Sequence, residues 1–235
     1  MLILSLDTTT RAGSAAVLRD GDVLAVLDGD GSRTHGERLP GELDRVLKAA
    51  GMSLHDLDLL AVASGPGAFT GLRIGLAAMQ GVALATGRPV IGVSALDALA
   101  LSAFEAMQDL SARVGSWMDA GRGEVFAALY DVERHEGAAA TALPARLVAV
   151  TEPVVGAPEA VWTAWSALRA RGMAVVGDGA VRYRDLFEPD VRVMPPPALA
   201  PALGRLALWR AREGGAHPPH QLQPLYVRRP DAERT

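Results

Sequence analysis

The feature that most constrains this chain is residues 70–85, where every side chain except Arg73 and Gln80 is apolar or small. The stretch suits one helix and falls short of the ~20 residues that span a bilayer. A helix without a polar face must be covered on both sides. One side packs on its own sheet, and the other side must pack on something else, such as a partner protein. The alternative is a central helix wholly inside one domain. We favour the interface, because a lobe this small has little interior.

Short apolar runs before and after this helix have the length and composition of buried strands. These runs are residues 2–6, 14–18, 23–27, 59–63 and 89–93. Helical spacing of apolar residues marks three further segments, residues 37–50, 70–85 and 95–107. The order strand-strand-strand-helix-strand-helix-strand-helix predicts an α/β protein in which helices pack on the faces of a mixed sheet.

The opening pattern returns in the second half of the chain. A strand ends at Asp119, residues 120–123 form a turn, and residues 124–130 form the next strand. Asp7 and Asp119 would then hold equivalent places in two copies of one lobe. A length of 235 residues also lies between one typical domain and two full ones. We therefore expect two lobes, residues 1–107 with a partner interface and residues 108–235 with an extended tail.

Charge and cysteine content exclude several classes of function. The chain has 23 basic and 27 acidic residues and a net charge of −4, which supplies no overall attraction for a phosphate backbone. Contact with RNA must therefore be local or made through another protein. The absence of cysteine excludes disulfides, thiolate metal sites and cysteine nucleophiles. The first apolar run ends at Asp7, too early for a signal peptide, so we expect a cytoplasmic protein without a membrane segment.

Two turns could bind a nucleotide. Asp7, Thr8 and Thr9 at the first bend could offer hydroxyl and amide groups to a phosphate and hold a metal-bound water. The alternative is a local turn, in which Asp and Thr bond to nearby backbone. Gly65 and Gly67 precede a helix, and glycines let a backbone approach an anion closely. This loop lacks the Gly-Lys-Ser/Thr of a P-loop and the glycine spacing of the dinucleotide fingerprint.

The sequence offers little for metal or nucleophilic chemistry. Its five histidines form no H-x-x-x-H or H-E-x-x-H pair. Ser32, Arg33 and His35 lie close together, but a catalytic triad needs a third, orienting group that the sequence does not identify. A helix cap at Ser32 or Thr34 is the leading alternative. We expect no metal site and no catalytic residues.

Six segments together resemble a known family. They are LSLDTTT (residues 4–10), SGPGAFTGLRIGLAAMQGVALA (64–85), PVIGVSAL (89–96), DAGRGEVFAALY (119–130), VVGDGA (175–180) and PLYVRR (224–229). In this order and at these distances they resemble the TsaB (YeaZ) family, closely over residues 1–130 and weakly over residues 131–171. The resemblance implies a two-lobed actin-like fold. It also implies a non-catalytic subunit in the synthesis of threonylcarbamoyladenosine at position 37 of tRNA.

The resemblance also implies partners. Family members bind TsaD, a catalytic paralogue, through a helix bundle that corresponds here to residues 37–50 and 70–85. The expected interface residues are Leu39, Leu43, Leu47, Gly71, Gly75, Ala78, Met79 and Val82. A TsaE-like ATPase completes the assembly, tRNA is reached through the complex, and the isolated chain is expected to form a homodimer.

One departure separates this chain from the catalytic paralogue. TsaD carries an H-x-x-x-H metal pair after the strand that corresponds to residues 89–93, whereas residues 94–100 here contain no histidine. We therefore expect the accessory subunit, with no required cofactor and with ATP and magnesium binding at Asp7 left open. The main alternative is an actin-fold ATPase or small-molecule kinase that uses the Asp7 hairpin, with Asp119 as its catalytic carboxylate. A peptidase has no supporting zinc pair or nucleophile.

Overall fold

The structure is a computed structural model that describes residues 1–107, 111–134, 145–215 and 218–227. Its elements alternate between strands and helices as the sequence predicts. The strands are β1 (Leu2–Asp7), β2 (Ser14–Arg19), β3 (Asp22–Asp28), β4 (Leu59–Gly65), β5 (Val90–Ser94), β6 (Ser111–Gly121), β7 (Glu124–Arg134), β8 (Ala145–Ala149), β9 (Val154–Gly156), β10 (Ala174–Val176) and β11 (Arg192–Met194). The helices are α1 (His35–Ala49), α2 (Phe69–Thr86), α3 (Ala95–Met107), α4 (Pro158–Ala164), α5 (Asp178–Arg182) and α6 (Ala200–Arg212).

The first sheet has the strand order β3-β2-β1-β4-β5. β1 pairs antiparallel with β2 and parallel with β4, and β4 pairs parallel with β5. Every residue of β1 is buried, because both faces of the sheet are covered. Leu2, Leu4 and Leu6 face a core shared with α1 and α2, while the Ser5 hydroxyl on the other face donates to the carbonyl of Ala200 in α6 at 2.7 Å.

The second sheet repeats the topology of the first. Its order is β11-β10-β6-β7-β8, with β9 added beside β7. β6 pairs antiparallel with β7 and parallel with β10, as β1 does with β2 and β4. Asp7 ends β1, and Asp119 lies two residues before the end of β6. The predicted duplication is confirmed by this topology, and so is the α/β class with two mixed sheets and flanking helices.

The compact units differ from the predicted lobes. The first unit comprises Met1–Ala98 and Ala198–Leu225, and the second comprises the described residues 99–134 and 145–197, with the last two described residues, 226 and 227. The predicted division after residue 107 has other bounds than these two units. The reason is that α6 packs on β1, β2, β4 and β5 of the first sheet, although it follows the second sheet in sequence.

Aromatic side chains form the core of the second unit. Trp117 of β6 is fully buried, with its ring centroid 5.7 Å from that of Trp165 and 5.1 Å from that of Phe187, both in edge-to-face geometry. Across the described parts of both units, no helix is long and apolar enough to cross a membrane.

Candidate functional site

The Asp7 hairpin is a closed local turn. Asp7 is 2% exposed, and its Oδ1 accepts hydrogen bonds from the Thr9 amide at 2.8 Å and from the Thr9 hydroxyl at 2.5 Å. Its Oδ2 accepts from the Thr10 hydroxyl at 3.2 Å. Burial raises the pKa of Asp7 above its usual value, although the bonds from Thr9 and Thr10 oppose that shift. The carboxylate is thus used inside the turn, as the alternative interpretation of this motif expects.

The glycine loop packs on this hairpin. A Cβ atom on Gly67 would lie 2.4 Å from the Thr9 Cβ, and one on Gly71 would lie 2.3 Å from the Thr8 carbonyl oxygen. A Cβ on Gly75 would lie 2.0 Å from the Thr8 Oγ1. The amide of Ala68 also donates to the Thr9 carbonyl at 3.0 Å. The close approach that glycine permits at this loop is therefore made to the chain's own hairpin.

A buried polar network joins α1 to the same hairpin. Arg38 donates to both carboxylate oxygens of Glu42, at 2.6 and 2.7 Å, and their side chains are 3% and 6% exposed. Arg38 also donates to the carbonyls of Arg11 and Ala12. His35 lies between, with Nε2 3.0 Å from the Thr10 carbonyl oxygen and Nδ1 2.8 Å from the Arg38 guanidinium. Sequence reasoning missed this network, for which the spacing of Arg38 and Glu42, four residues apart on one helix, was the available signal.

The structure gives the other residues near His35 local roles. The Ser32 hydroxyl donates to Asp30 at 2.6 Å. Thr34 precedes α1, and its amide and hydroxyl donate to the Glu37 carboxylate, as in a capping box. The predicted helix cap is thus found at Thr34, and the His35 ring contacts the Thr10 carbonyl of the hairpin.

Most of the predicted interface residues lie in the interior of their own unit. Leu39, Leu43, Leu47 and Met79 are between 0% and 8% exposed and belong to the core of their own unit. Gly71 and Gly75 are buried beneath Thr8, and Ala78 and Val82 pack partly against the same core. These side chains are therefore covered by the chain itself, because α1 and α2 turn their apolar positions toward β1, β2 and β4.

The opposite side of α2 is exposed to solvent in the part of the chain that the structure describes. Leu84 is 76% exposed and Phe69 is 44% exposed. Arg73, Ala77 and Gly81 are exposed between them, at spacings of three or four residues that place all five on one side of the helix. The Arg73 guanidinium lies over the Phe69 ring, 3.8 Å from its centroid. We call these five residues the open face of α2. The alternative of a helix sealed inside one domain is wrong.

The equivalent carboxylate of the second unit is also engaged. Asp119 Oδ2 accepts from Arg182 at 2.6 Å, and its Oδ1 accepts from the Gly121 amide at 2.9 Å. Its backbone amide donates to Asp178, whose pKa is raised by burial. In the described part of the chain, no group of three or more histidine or acidic side chains is placed to hold a metal ion. His135, His217, Arg228 and Arg229 lie outside that part.

The sequence is similar to proteins of one tRNA-modification pathway. A family model described as "TsaD: tRNA N6-adenosine threonylcarbamoyltransferase" matches residues 29–161, more than half of the chain. The tRNA threonylcarbamoyladenosine biosynthesis protein TsaB of Escherichia coli is 41% identical over 130 residues, which are 55% of this chain and 55% of that protein. The match thus spans about half the length of this curated relative.

Two further similarities extend over nearly the whole chain. An uncharacterized protein of Mycobacterium tuberculosis is 31% identical, with 98% of this chain and 93% of that protein covered. The solved structure of YeaZ from Pseudomonas aeruginosa is 30% identical and superimposes with a TM-score of 0.78, with 96% of this chain and 99% of that one covered. Sequence motifs, duplicated topology and these similarities agree, and the chain belongs to the TsaB (YeaZ) family.

Proposed function

We propose that this chain is a non-catalytic subunit that binds and supports a TsaD-type transferase in the threonylcarbamoyladenosine modification of tRNA. The named relative from Escherichia coli is a biosynthesis protein of this modification, and the matching family model is named for the transferase. Both names concern one pathway, and the geometry of the candidate site supports the accessory role over an enzymatic one.

The observation that carries the accessory role is the filled hairpin. Thr8 and Thr9 pack so closely on Gly67, Gly71 and Gly75 that an added Cβ atom on these glycines would lie only 2.0 to 2.4 Å from the hairpin. Asp7 is buried, and its carboxylate oxygens accept hydrogen bonds from Thr9 and Thr10. A carboxylate that orients a metal-bound water must reach solvent and ligand, which this one does not. This geometry opposes the kinase alternative.

The partner surface in this proposal is the open face of α2. It combines two large apolar side chains, Phe69 and Leu84, with the small residues Ala77 and Gly81, which allow another helix to approach closely. An exposed apolar surface of this kind is typical of a protein interface. We propose that a TsaD-like subunit covers it in the complex and that a second copy covers it in the isolated chain. A TsaE-like ATPase, tRNA contact through the complex and a cytoplasmic location belong to the same proposal.

The direct test is reconstitution with purified components. The full chain and a TsaD-type transferase from the same source are mixed and analysed by size-exclusion chromatography, and tRNA modification is assayed with each protein alone and with both. We expect a stable complex, no modification by this chain alone, and an increase in modification when it is added to the transferase. Failure of the two proteins to associate would overturn the proposal.

A variant separates the accessory role from a hidden catalytic one. Asp7→Asn keeps a hydrogen-bond acceptor for Thr9 and removes the negative charge. The complex that contains this variant should modify tRNA as the wild-type complex does. A large loss of modification in a complex that still assembles would mean that the hairpin holds a working site. Titration of the isolated chain with Mg-ATP should likewise give no hydrolysis.

A further inference from the structure

The last described segment of the chain returns to the first unit. Residues 218–225, which we call the strap, follow α6 and include one short 3-10 helix, Pro219–Gln221. The strap belongs to the same compact unit as α2, β4 and β5. It contacts α2 on the flank next to the open face, and it also contacts β4 and β5.

Gln80 binds the strap to α2. Its side-chain amide nitrogen donates to the carbonyl of Pro219 at 2.9 Å and to that of Leu222 at 3.4 Å. Gln80 is one of the two strongly polar side chains that the sequence places in this helix. Its polarity is thus explained by the strap, since a buried or half-buried amide needs hydrogen-bond partners.

Two glycines make room for the strap on the sheet. A Cβ on Gly92 of β5 would lie 2.9 Å from the Leu222 Cδ1, and one on Gly65 would lie 2.6 Å from the Leu225 carbonyl oxygen. Leu222 packs against the core of the first unit, and the Leu225 amide donates to the Ser64 carbonyl at 2.6 Å. The strap is therefore anchored to β4, β5 and α2 at once.

The strap lies beside the open face. Gln80 follows Ala77 by three residues and precedes Leu84 by four, so the three side chains are neighbours on the helix surface. The core holds α2 from one side, and the strap holds the flank that borders the exposed residues. Loss of the strap would leave the Gln80 amide without these two acceptors and uncover the space above Gly92.

We propose that the strap fixes the position of α2 and thereby controls whether the open face can bind a partner subunit. The identity of the partner in this inference rests on the proposed function. The effect of the strap on α2 does not, and it can be measured in the isolated chain. Because the strap is a separate late segment of the chain, its release changes the binding surface without removing any residue of that surface. Partner affinity should then depend on a segment outside the face itself.

The test uses the full chain with Leu222→Asp, which places a charge where an apolar side chain is anchored, and Gln223→Asp as its control on the neighbouring exposed position. Hydrogen exchange in the absence of partner is measured first. Leu222→Asp should remove the protection of the Leu225 amide and speed exchange along α2 at least tenfold, with β1 unchanged. Gln223→Asp should behave as wild type. Unchanged exchange along α2 after strap release would overturn the inference whatever the partner does.

Affinity for the TsaD-type subunit is measured next by biolayer interferometry. We expect Leu222→Asp, and a chain that ends at Gly215, to bind at least tenfold more weakly than wild type and Gln223→Asp. Equal affinity with the strap released or removed would overturn the inference. Absence of binding by the wild-type chain would instead count against the proposed function, because the exchange result on α2 stands independently of it.

Discussion

Thr8 fills the notch that Gly75 leaves in α2, where an added Cβ would lie 2.0 Å from the Thr8 Oγ1 and 3.2 Å from its Cβ. Thr8 is fully buried, so it has no space into which it could withdraw. The contact joins the turn after β1 to a helix more than sixty residues later in the sequence.

Gly75→Ala should therefore destabilise the chain. Overpacking of a filled core costs about 1–3 kcal/mol, which exceeds the gain of up to about 1 kcal/mol from replacing a helical glycine by alanine. Gly81→Ala is the matched control on the same helix, because nothing lies within 4 Å of its added Cβ. It should stabilise the chain by about 0.5–1 kcal/mol. Urea unfolding measures the free energy of unfolding of both variants. Equal effects of the two substitutions would contradict the close contact between Thr8 and Gly75.

The pH dependence of stability should report the burial of Asp7. Its folded pKa is raised, so between the unfolded value of about 3.9 and the folded pKa the folded state binds more protons than the unfolded state. Its contribution to stability is therefore present below pH 3.9, falls as pH rises through that window and stays lost above it. Asp7→Asn should gain stability relative to wild type as pH rises, in urea unfolding between pH 3.5 and 7.

Asp30→Asn provides a control of opposite sign. The pKa of exposed Asp30 is lowered, chiefly by its hydrogen bonds from Ser32. A lowered pKa contributes stability above pH 3.9 that is lost as pH falls. The difference between wild type and Asp30→Asn should therefore run in the direction opposite to that of Asp7→Asn. The same direction in both variants would mean that Asp7 is not the origin of the effect.

The buried pair of Arg38 and Glu42 should be costly to break from one side. Arg38→Met leaves the Glu42 carboxylate buried, and removal of one partner of a buried ion pair costs about 3–5 kcal/mol. The double variant Arg38→Met with Glu42→Leu should recover much of this loss, because no uncompensated charge remains. A double-mutant cycle by urea unfolding measures the coupling. The exposed pair of Asp44 and Lys48, with the same spacing on α1, should show little coupling.

Partner binding should depend on the open face of α2. Ala77→Arg places a long charged side chain at the centre of that face, where a packed helix interface would have to bury it. We expect loss of co-purification with the TsaD-type subunit and a circular dichroism spectrum like that of the wild type, since Ala77 is exposed within its own chain. Ala160→Arg makes the same change at an exposed position of α4 in the other unit. Full co-purification of Ala77→Arg would mean that the partner does not bind at the open face of α2.

The sequence indicated that α2 has two apolar sides, but not which of them faces its own sheet. The composition of residues 70–85 predicts two apolar sides, and the structure has Met79 in the core and Leu84 in solvent. Helical periodicity cannot say which side meets the sheet when nearly all positions are apolar or small. The interface set that included Gly75 and Met79 therefore fell on the inner side, whereas Ala77 and Leu84 lie on the outer side.

The sequence by itself determined the order of strands and helices, the internal duplication and the family. These properties follow from local periodicity and from motifs in a fixed order. Only the tertiary structure decided that Thr8 occupies the notch at Gly75, that α6 joins the first unit, and that Gln80 holds the strap. Each of these depends on contacts between residues far apart in sequence, which spacing along the chain does not encode. Close packing of the folded chain, and not the local pattern, sets which group fills each space.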